Sequence, residues 1–335
     1  MKRLLFVLPF AAIVAACSSD LTQPETVVTP GTAPTFLLSA AAVNFEPPYT
    51  LGTINGQDDW LSRGAAGSGC AVYDHAVASN TYGYTSFGTQ SLRISNAVTS
   101  GCFSDQTFSK RVLNPAGETG AALGSFLLSG GVLQTHFEAQ WDFASTVPLE
   151  EQPGLSVVAS PDRGDGSRMS WVQMTDTPGG IDINFYDVRG QSHLSAFVGS
   201  KVATGLDRTV PHTIKITMDF IDGPSNDVVQ VYVDGTLRLT GTSWENYYRF
   251  NTQDVPTGYG YVPGVNRVLF RTGGPAAPAT AGNGFVIDNF SISTYTPVGP
   301  PATKAQCLNN GWTTFTIPRT FTSQGDCVSY VQNGK

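Results

Sequence analysis

Charged residues are scarce in this chain of 335 residues. Asp, Glu, Lys and Arg together make up 13% of the sequence, and the formal net charge is −7. Binding to nucleic acid depends on grouped Lys and Arg side chains that neutralise phosphates, and the sequence has no such group. We therefore predict no nucleic-acid partner, and no basic patch that would hold the protein against a membrane surface.

Long apolar runs are scarce as well. The run at the start of the chain, Leu4 to Ala16, follows Lys2 and Arg3 and is shorter than the ~20 residues that cross a membrane. A positive start, a short apolar stretch and small residues before a cleavage point are typical of a signal peptide, here residues 1–16. Val14-Ala15-Ala16-Cys17 resembles the lipobox of bacterial lipoproteins, which implies that Cys17 is lipidated. The alternative is an ordinary secretory signal that happens to contain a cysteine.

The lipobox resemblance predicts an exported protein that is anchored by lipid in the bacterial cell envelope. Ser18, directly after the cysteine, is similar to the residue that directs lipoproteins to the outer membrane, so we expect that membrane. The chain would contact the membrane through the lipid alone.

Cysteine is also rare, with five residues in the chain. Once Cys17 is assigned to the lipid, four remain. An even number of cysteines in an exported protein indicates disulfides, which persist outside the cytoplasm. Proximity along the chain favours pairing Cys70 with Cys102 and Cys307 with Cys327, although the other two pairings remain open.

Two stretches divide the chain. Residues 18–42 are rich in Thr, Pro and Ala and nearly uncharged, and such a composition cannot bury a core. Residues 17–43 are therefore predicted to be the lipidated cysteine and a disordered tether. A second break, Thr296-Pro297-Val298-Gly299-Pro300-Pro301, separates residues 44–296 from a C-terminal unit, residues 297–335. That unit is too small to fold on its core alone and would depend on a disulfide.

Apolar and polar residues alternate in many places between residues 44 and 296. Alternation with Val, Ile, Thr and aromatic residues is typical of half-buried strands, and no stretch keeps a helical period for three turns. Asp234-Gly235 predicts a tight hairpin turn, because both residues accept positive φ angles. The pattern predicts an all-β fold, a two-sheet antiparallel jelly-roll sandwich with a short disulfide-stapled appendage at its C-terminus. The predicted strands include Val132–Phe143, Met169–Met174, Ile181–Tyr186, Ile214–Phe220, Val228–Leu239 and Phe285–Ile292.

Local sequence patterns also point to a known fold. The segments that carry these patterns are Phe45-Glu46, Asn55–Trp60, Val231–Gly235, Thr242–Arg249 and Gly284–Asn289. Together they resemble concanavalin A-like lectin and glucanase domains, over roughly residues 44–295. That family includes lectins, hydrolases, lyases and inert spacers, so the fold does not decide the function. The tail, with Cys307, Gly311-Trp312 and Cys327, resembles a small module appended to exported bacterial proteins.

The resemblance also implies a metal site. In concanavalin A-like domains the first and last strands pair, which would bring Glu46 and Asp288 together near an edge of the sheet. Paired carboxylates together with backbone carbonyls suit Ca²⁺, which takes six to eight oxygen ligands. We therefore predict a structural calcium ion at Glu46 and Asp288. The alternative is that both carboxylates lie on the surface or cap turns through hydrogen bonds.

Two groups of residues are candidates for binding a carbohydrate. Sugars bind through aromatic faces that cover their C–H groups and through polar side chains that satisfy their hydroxyls. Residues 244–249 have this mixture, although Trp244 and Tyr247 could instead close the end of the sandwich while Arg249 pairs with Glu245. Outward-facing residues of the predicted middle strands form the second group, in one groove. The candidates are Trp171, Gln173, Glu138, Gln140, Trp244, Tyr247, Tyr248 and Arg249.

No catalytic site is predicted. Glu138 and Asp142 lie about 13 Å apart along their strand, beyond the ~5–9.5 Å that separates the carboxyl pair of a glycosidase. If the domain is an enzyme, His136 or Glu138 would transfer the proton. The sequence therefore favours a cell-envelope lipoprotein that binds a polysaccharide or glycan without catalysis. The alternatives are a polysaccharide hydrolase or lyase with a divergent site, and a surface spacer or adhesion module that binds protein.

Overall fold

The computed structural model describes residues 38–63, 74–99, 106–121, 129–190, 196–250 and 264–334. The predicted signal peptide, the lipidation site Cys17, most of the tether, and the pair Cys70 and Cys102 lie outside these residues. No helix in the described part of the chain is long and apolar enough to cross a membrane.

Short strands dominate the described residues. Helices are few: α1 (Glu245–Phe250) in the sandwich, then α2 (Lys304–Cys307) and α3 (Gln324–Asn333) in the tail. The strands up to the middle of the chain are β1 (Ser39–Val43), β2 (Leu61–Arg63), β3 (Asp74–Ser79), β4 (Gln90–Ser95), β5 (Gln106–Phe108), β6 (Ala116–Gly117), β7 (His136–Ser145), β8 (Ser156–Asp162) and β9 (Trp171–Thr177). The later strands are β10 (Gly180–Arg189), β11 (Ala196–Leu206), β12 (His212–Asp219), β13 (Val228–Val233), β14 (Thr236–Gly241), β15 (Gly264–Val265), β16 (Arg267–Thr272) and β17 (Phe285–Tyr295).

Within the described residues these strands form two large antiparallel sheets. The eight-stranded sheet has the order β14-β13-β12-β7-β17-β4-β3, and β1 also pairs with β17. The seven-stranded sheet has the order β11-β10-β9-β8-β16-β5-β2, and β15 pairs with β6 in a small third sheet. The predicted all-β fold, a two-sheet jelly-roll sandwich, is confirmed.

The core lies between the two large sheets. Along β7, Phe137, Ala139, Trp141 and Phe143 are fully buried, and the residues between them, such as Gln140, are only partly buried. Strand β9 alternates in the same way and places Val172 and Met174 inward. Because successive side chains of a strand point to opposite faces, β7 and β9 bury one face and leave the other partly exposed. Strands β4 and β8 are buried on both faces. Each large apolar side chain buried here contributes about 1.5–3 kcal/mol relative to exposure.

The hairpin predicted at Asp234-Gly235 is confirmed. Strands β13 and β14 are joined by these two residues, whose φ angles are 50° and 72°. Two consecutive positive φ angles twist the turn in the sense that matches the twist of the flanking strands.

The sandwich begins earlier in the chain than the composition of residues 18–42 predicts. Residues 39–43, assigned above to the tether, form β1, whose Val43 pairs with Phe290 of β17. A strand is held by backbone hydrogen bonds to its neighbour, so the small side chains of β1 do not prevent pairing. The first and last strands therefore pair as expected. Strand β4 pairs with Phe285–Ile287 of β17, and β1 pairs with the following part of β17, where β1 has no second partner strand among the described residues.

The C-terminal unit has its own small core. A disulfide joins Cys307 to Cys327, as predicted, and Phe315 and Phe321 are buried beside it. Helix α3 begins after Ser323, whose side chain accepts a hydrogen bond of 3.1 Å from the backbone N–H of Asp326. This is the usual N-cap arrangement, which satisfies one of the free amides of the first turn.

Candidate functional site

The structure separates the outward-facing residues that the sequence placed in one groove. Glu138 and Gln140 lie on β7 in the eight-stranded sheet, whereas Trp171 and Gln173 lie on β9 in the seven-stranded sheet. Both pairs point away from the shared core, so they occupy opposite outer faces of the sandwich. The expectation of a single groove was wrong, because alternation shows which residues share a side of one strand but not which sheet that strand joins.

On the outer face of the eight-stranded sheet, the candidate acid–base residues are bound to neighbours. His136 is buried, and its Nδ1 lies 2.6 Å from Oδ1 of Asp219. Its Nε2 is buried too and has no hydrogen-bond partner among the described residues. Glu138 faces Lys215 at 3.8 Å, and the Lys215 ammonium lies 4.6 Å from the centre of the Tyr232 ring. A substrate on this face would not reach His136 Nε2, so the geometry does not favour proton transfer by this residue.

The outer face of the seven-stranded sheet carries a row of mostly polar residues that crosses five strands. Strand register aligns Arg271 of β16, Val158 of β8, Gln173 of β9, Asn184 of β10 and Lys201 of β11. Residues at one level of adjacent strands point to the same face, and adjacent strands lie about 4.8 Å apart. The row from Arg271 to Lys201 therefore spans about 19 Å. Its polar members are half-buried or exposed, so part of each side chain is accessible to solvent.

We call Arg271, Gln173, Asn184 and Lys201 the polar row. Hydrogen bonds fix two of these side chains. The Gln173 amide donates to Ser156 Oγ at 2.6 Å, and the Lys201 ammonium donates to Asp182 at 2.8 Å. Gly273 lies against the first of these pairs: a Cβ at this position would come within 2.4 Å of Ser156 Oγ. The close approach requires a glycine there.

An aromatic cluster borders the polar row at the next outward-facing position of β9 and β10, two residues along each strand. Trp171 and Tyr186 are opposite each other on β9 and β10, with ring centres 5.4 Å apart. Trp244, Phe197 and Tyr247 extend the cluster, with Phe197 4.6 Å from Trp244 and 5.3 Å from Tyr247. Phe197 is 49% exposed, and Trp171, Tyr186 and Tyr247 are each partly exposed. The cluster (Trp171, Tyr186, Phe197, Trp244 and Tyr247) therefore presents aromatic surface to solvent beside polar groups.

Helix α1 supplies one side of this cluster and is fastened by buried residues. Trp244, 5% exposed, donates from its indole Nε1 to the backbone carbonyl of Tyr186 at 2.8 Å. The buried Tyr248 hydroxyl donates to the carbonyl of Arg168 at 2.8 Å. Trp244 and Tyr248 thus close this end of the sandwich, which is the alternative considered for Trp244, while Tyr247 keeps part of its ring exposed. Arg249 faces Glu118 and Glu245 and not the polar row.

The loop after β8 approaches the aromatic cluster from the other side. The buried carboxylate of Asp162 accepts hydrogen bonds from the backbone amides of Asp165 at 3.2 Å and Gly166 at 3.3 Å, which curls the loop. Burial raises the pKa of Asp162 to about 6. The guanidinium of Arg168, at the end of this loop, lies 5.8 Å from the Trp171 ring centre and 5.9 Å from that of Trp244. These distances allow cation–π attraction, which orients the two indoles.

The carboxylates predicted to bind calcium are close but already hydrogen-bonded. The two oxygens of Glu46 accept from the N–H and hydroxyl of Thr89 and from the N–H of Gln90. Those of Asp288 accept from the Asn289 N–H at 2.7 Å and the Ser91 hydroxyl at 2.8 Å. Burial, with a contribution from the nearby charge of Glu46, raises the pKa of Asp288 to about 7. Since all four oxygens have donors from the chain, the pair fits a hydrogen-bonded turn better than a calcium site.

Sequence reasoning missed several residues of the polar row and the aromatic cluster, namely Arg271, Asn184, Lys201, Tyr186 and Phe197. Asn184 and Tyr186 occupy alternate outward positions of a strand that was predicted, Ile181–Tyr186, so their orientation was available from the alternation. What the sequence did not give was the neighbour of each strand, and therefore which outward residues share a face.

Comparisons with known proteins show no family for this chain. No protein-family model matches the chain, and no curated protein matches its sequence. A mutant of the alginate lyase Aly36B in complex with an alginate tetrasaccharide has 9% sequence identity and a TM-score of 0.43, over 76% of this chain and 96% of that chain. An endo-β-1,4-glucuronan lyase from the fungus Trichoderma reesei has 10% identity and a TM-score of 0.34, over 73% and 91%. The carbohydrate recognition domain of Emp47p has 13% identity and a TM-score of 0.32, over 57% and 78%. These likenesses concern the course of the backbone and do not identify a ligand for this chain.

Proposed function

We propose that this protein binds a polysaccharide on the outer face of the seven-stranded sheet. The observation that carries the proposal is the polar row beside the aromatic cluster, both accessible on one face. Amide and cationic side chains spread over about 19 Å suit an extended chain of sugars better than a small compact ligand.

The chemistry of the face supports a sugar ligand. Aromatic rings offer large apolar surface for the C–H groups of a pyranose, and they are rigid, so little entropy is lost on binding. The amides of Gln173 and Asn184 both donate and accept hydrogen bonds, as sugar hydroxyls require. Arg271 and Lys201 add donors that also suit the carboxylates of an acidic polysaccharide.

The proposal places this face outside the cytoplasm. A signal peptide over residues 1–16 and a lipid on Cys17 would anchor the chain in the cell envelope, at the outer membrane, with the residues before β1 as a tether. A binding domain held in this way would keep the protein on a polysaccharide near the cell.

A polysaccharide lyase is the second candidate, and the same face supports it. Elimination from a uronic acid needs groups that bind its carboxylate and a base that removes the proton from the carbon bonded to that carboxylate. The glycosidic C–O bond at the next carbon then breaks, and the leaving oxygen takes up a proton. Arg271, Gln173 and Asn184 would serve the first role, and the phenol of Tyr186 or the amine of Lys201 would serve the second. This candidate differs from simple binding in forming an unsaturated, ultraviolet-absorbing product.

The test is a panel of neutral and uronic-acid polysaccharides, measured with the full-length protein by affinity electrophoresis and by ultraviolet absorbance. Two matched variants locate the surface: Tyr186→Ala on the seven-stranded sheet and Tyr232→Ala on the eight-stranded sheet. We expect binding that Tyr186→Ala weakens about tenfold, since a well-packed aromatic contact is worth 1–2 kcal/mol or more, and that Tyr232→Ala leaves unchanged. Absorbing products would favour the lyase. No binding to any polysaccharide, or binding lost only in Tyr232→Ala, would overturn the proposal.

A further inference from the structure

Three buried carboxylates meet behind the aromatic cluster. Glu118 follows β6, Asp227 precedes β13 and Glu245 is the first residue of α1. One oxygen atom from each lies within 4.8 Å of the others. Their residues are 2%, 3% and 0% exposed, so water does not solvate these charges. Grouping three acidic side chains in the interior is costly unless positive charge compensates them.

Arg249 compensates part of this charge. Its guanidinium pairs with Glu118, and its Nε lies 3.4 Å from Oε2 of Glu245. Three carboxylates and one guanidinium leave a formal charge of −2 in the cluster. That remainder equals the charge of one divalent cation.

The hydrogen bonds leave one oxygen of each glutamate without a donor. In Glu118, Oε2 accepts from the backbone N–H of Gly223 at 2.9 Å and from Arg249, while Oε1 is buried and has no hydrogen-bond partner within the described part of the chain. In Glu245, Oε1 accepts from the N–H groups of Asn226 at 2.8 Å and Asp227 at 3.0 Å. Its Oε2 is buried and makes no hydrogen bond to any residue that the structure describes. Buried polar atoms are normally bonded. Glu245 Oε2 still faces the Arg249 guanidinium at 3.4 Å, so Glu118 Oε1 is the oxygen that most clearly points to a further positively charged partner.

Asp227 is held differently from the two glutamates. Its oxygens accept from the backbone N–H of Ile221 at 2.9 Å and from the hydroxyl of Ser243 at 2.6 Å. A carboxylate oxygen has more than one lone pair, so these bonds orient Asp227 without using all its acceptor capacity. The loop from Ile221 to Ser225 is largely exposed, and the backbone N–H groups of Ile221 and Gly223 bind the cluster from this loop.

We propose that Glu118, Asp227 and Glu245 bind a divalent cation, with Ca²⁺ as the ion that best suits this set of oxygen ligands. Hard carboxylate oxygens favour Ca²⁺, whose coordination also accepts carbonyls and water in flexible geometry. The site differs from Glu46 and Asp288 in its two glutamates: one oxygen of each has no hydrogen-bond donor among the described residues, whereas all four oxygens of Glu46 and Asp288 have one. It joins the segment after β6, the start of β13 and α1, three parts of the chain that are distant in sequence.

The position of this cation site would affect polysaccharide binding on the outer face of the seven-stranded sheet, an inference that rests on the proposed function. Glu245 directly follows Trp244 and precedes Tyr247, two members of the aromatic cluster. A cation on Glu245 would fix the start of α1 and so hold both rings in place. Polysaccharide binding should therefore weaken when the cation is removed.

The experiment measures the cation first and the polysaccharide separately. The purified full-length protein, stripped with EDTA, is titrated with Ca²⁺ while its melting temperature is followed, and with Tb³⁺ while luminescence sensitised by tryptophan is followed. We expect Ca²⁺ to raise the melting temperature by about 3 °C or more and to displace Tb³⁺. Glu118→Gln should lose both effects, and Asp288→Asn, at the other pair of carboxylates, should keep them.

Other results would overturn the site. Absence of any Ca²⁺ or Tb³⁺ response in the wild type would do so, and so would a response that persists in Glu118→Gln or disappears only in Asp288→Asn. If Glu118→Gln does not fold, the near-isosteric Asp227→Asn is used, with bound calcium counted directly by flow dialysis. The proposal then predicts a loss of bound calcium in that variant. Polysaccharide affinity is measured with and without EDTA in a separate assay, so a protein that binds Ca²⁺ but no sugar refutes only the proposed function.

Discussion

Trp244 donates its indole hydrogen bond to the backbone carbonyl of Tyr186, at 2.8 Å, and thereby fastens α1 to strand β10. The bond joins a residue at the start of a short helix to a strand almost 60 positions earlier. It sets the border of the aromatic cluster, because Phe197 and Tyr247 both pack against the Trp244 ring. The shape of the proposed sugar-binding face therefore depends on where this helix docks.

Two substitutions in the aromatic cluster should separate stability from binding. Trp244→Ala removes a nearly buried ring and its hydrogen bond, and should lower the free energy of unfolding by about 3–5 kcal/mol. Phe197→Ala removes a ring that is 49% exposed, so it should cost less than about 1.5 kcal/mol while weakening polysaccharide binding. Urea unfolding and affinity electrophoresis measure the two quantities. Equal stability losses in the two variants would contradict this reading of the cluster.

The pH dependence of stability should report the buried Asp288. Burial raises its pKa to about 7 in the folded protein, from about 3.9 in an unfolded chain. Between these values the folded state binds more protons, so the free energy of unfolding falls as pH rises from about 4 to 7. Glu46 and Asp142 face the same carboxylate and reinforce the effect. Asp288→Asn should therefore reduce the fall in melting temperature between pH 5 and pH 8.

Asp74→Asn is the matched control for this pH effect. Burial alone would raise the pKa of Asp74, but hydrogen bonds from Arg93, Ser95 and the Gly282 amide outweigh it and lower the pKa to about 2. The stability that Asp74 contributes is therefore present above about pH 4 and is lost as pH falls toward 2. Asp74→Asn should lower the melting temperature at pH 7 without changing its slope between pH 5 and pH 8. An unchanged slope in Asp288→Asn would show that Asp288 does not titrate in this range.

The disulfide of the C-terminal unit should stabilise that unit alone. Cys307 and Cys327 are 20 residues apart, and closing a loop of this length is worth about 3 kcal/mol in the chain-entropy model. The double substitution of both cysteines by serine should make residues 297–334 sensitive to limited proteolysis, because Phe315 and Phe321 offer little other core. Polysaccharide binding should stay as in the wild type. A tail that resists protease equally well without its disulfide would contradict the prediction.

Membrane attachment should depend on one cysteine. Cys17→Ser should move the protein from the membrane fraction to the soluble fraction of an expressing cell, since the lipid is the predicted anchor. Cys70→Ser keeps the lipid site and serves as the control. Fractionation followed by immunoblotting measures the distribution, and a Cys17→Ser protein that stays in the membrane fraction would exclude the lipidation prediction.

Much of the fold could be predicted because its signals are local. Alternation located β9, β10, β12, β13 and β17 close to their observed bounds, and Asp234-Gly235 marked the hairpin. Proximity favoured the disulfide between Cys307 and Cys327, and the structure contains it. Strand β1 was missed because Ala40, Ala41 and Ala42 carry no clear alternation, and its place is decided by pairing with a strand about 250 residues later.

The site was less predictable because it depends on contacts distant in sequence. Gln173 and Gln140 look alike in the sequence, each at an outward position of a predicted strand, yet the order of strands places them on opposite faces. The partners of Glu118 are more than 100 residues away, so the buried acidic cluster has no local signal. Local patterns indicate which way a side chain points. Only the order of the strands shows which other side chains lie beside it.

The most direct test of the central claim compares Gln173→Ala with Gln140→Ala. The two substitutions remove the same amide from the outer faces of the seven-stranded and the eight-stranded sheet. With a polysaccharide ligand identified from the panel, isothermal titration calorimetry should show affinity about tenfold weaker for Gln173→Ala, because a hydrogen bond to the sugar is lost, and unchanged for Gln140→Ala. The opposite result, a loss in Gln140→Ala alone, would place the ligand on the other side of the sandwich and contradict the account.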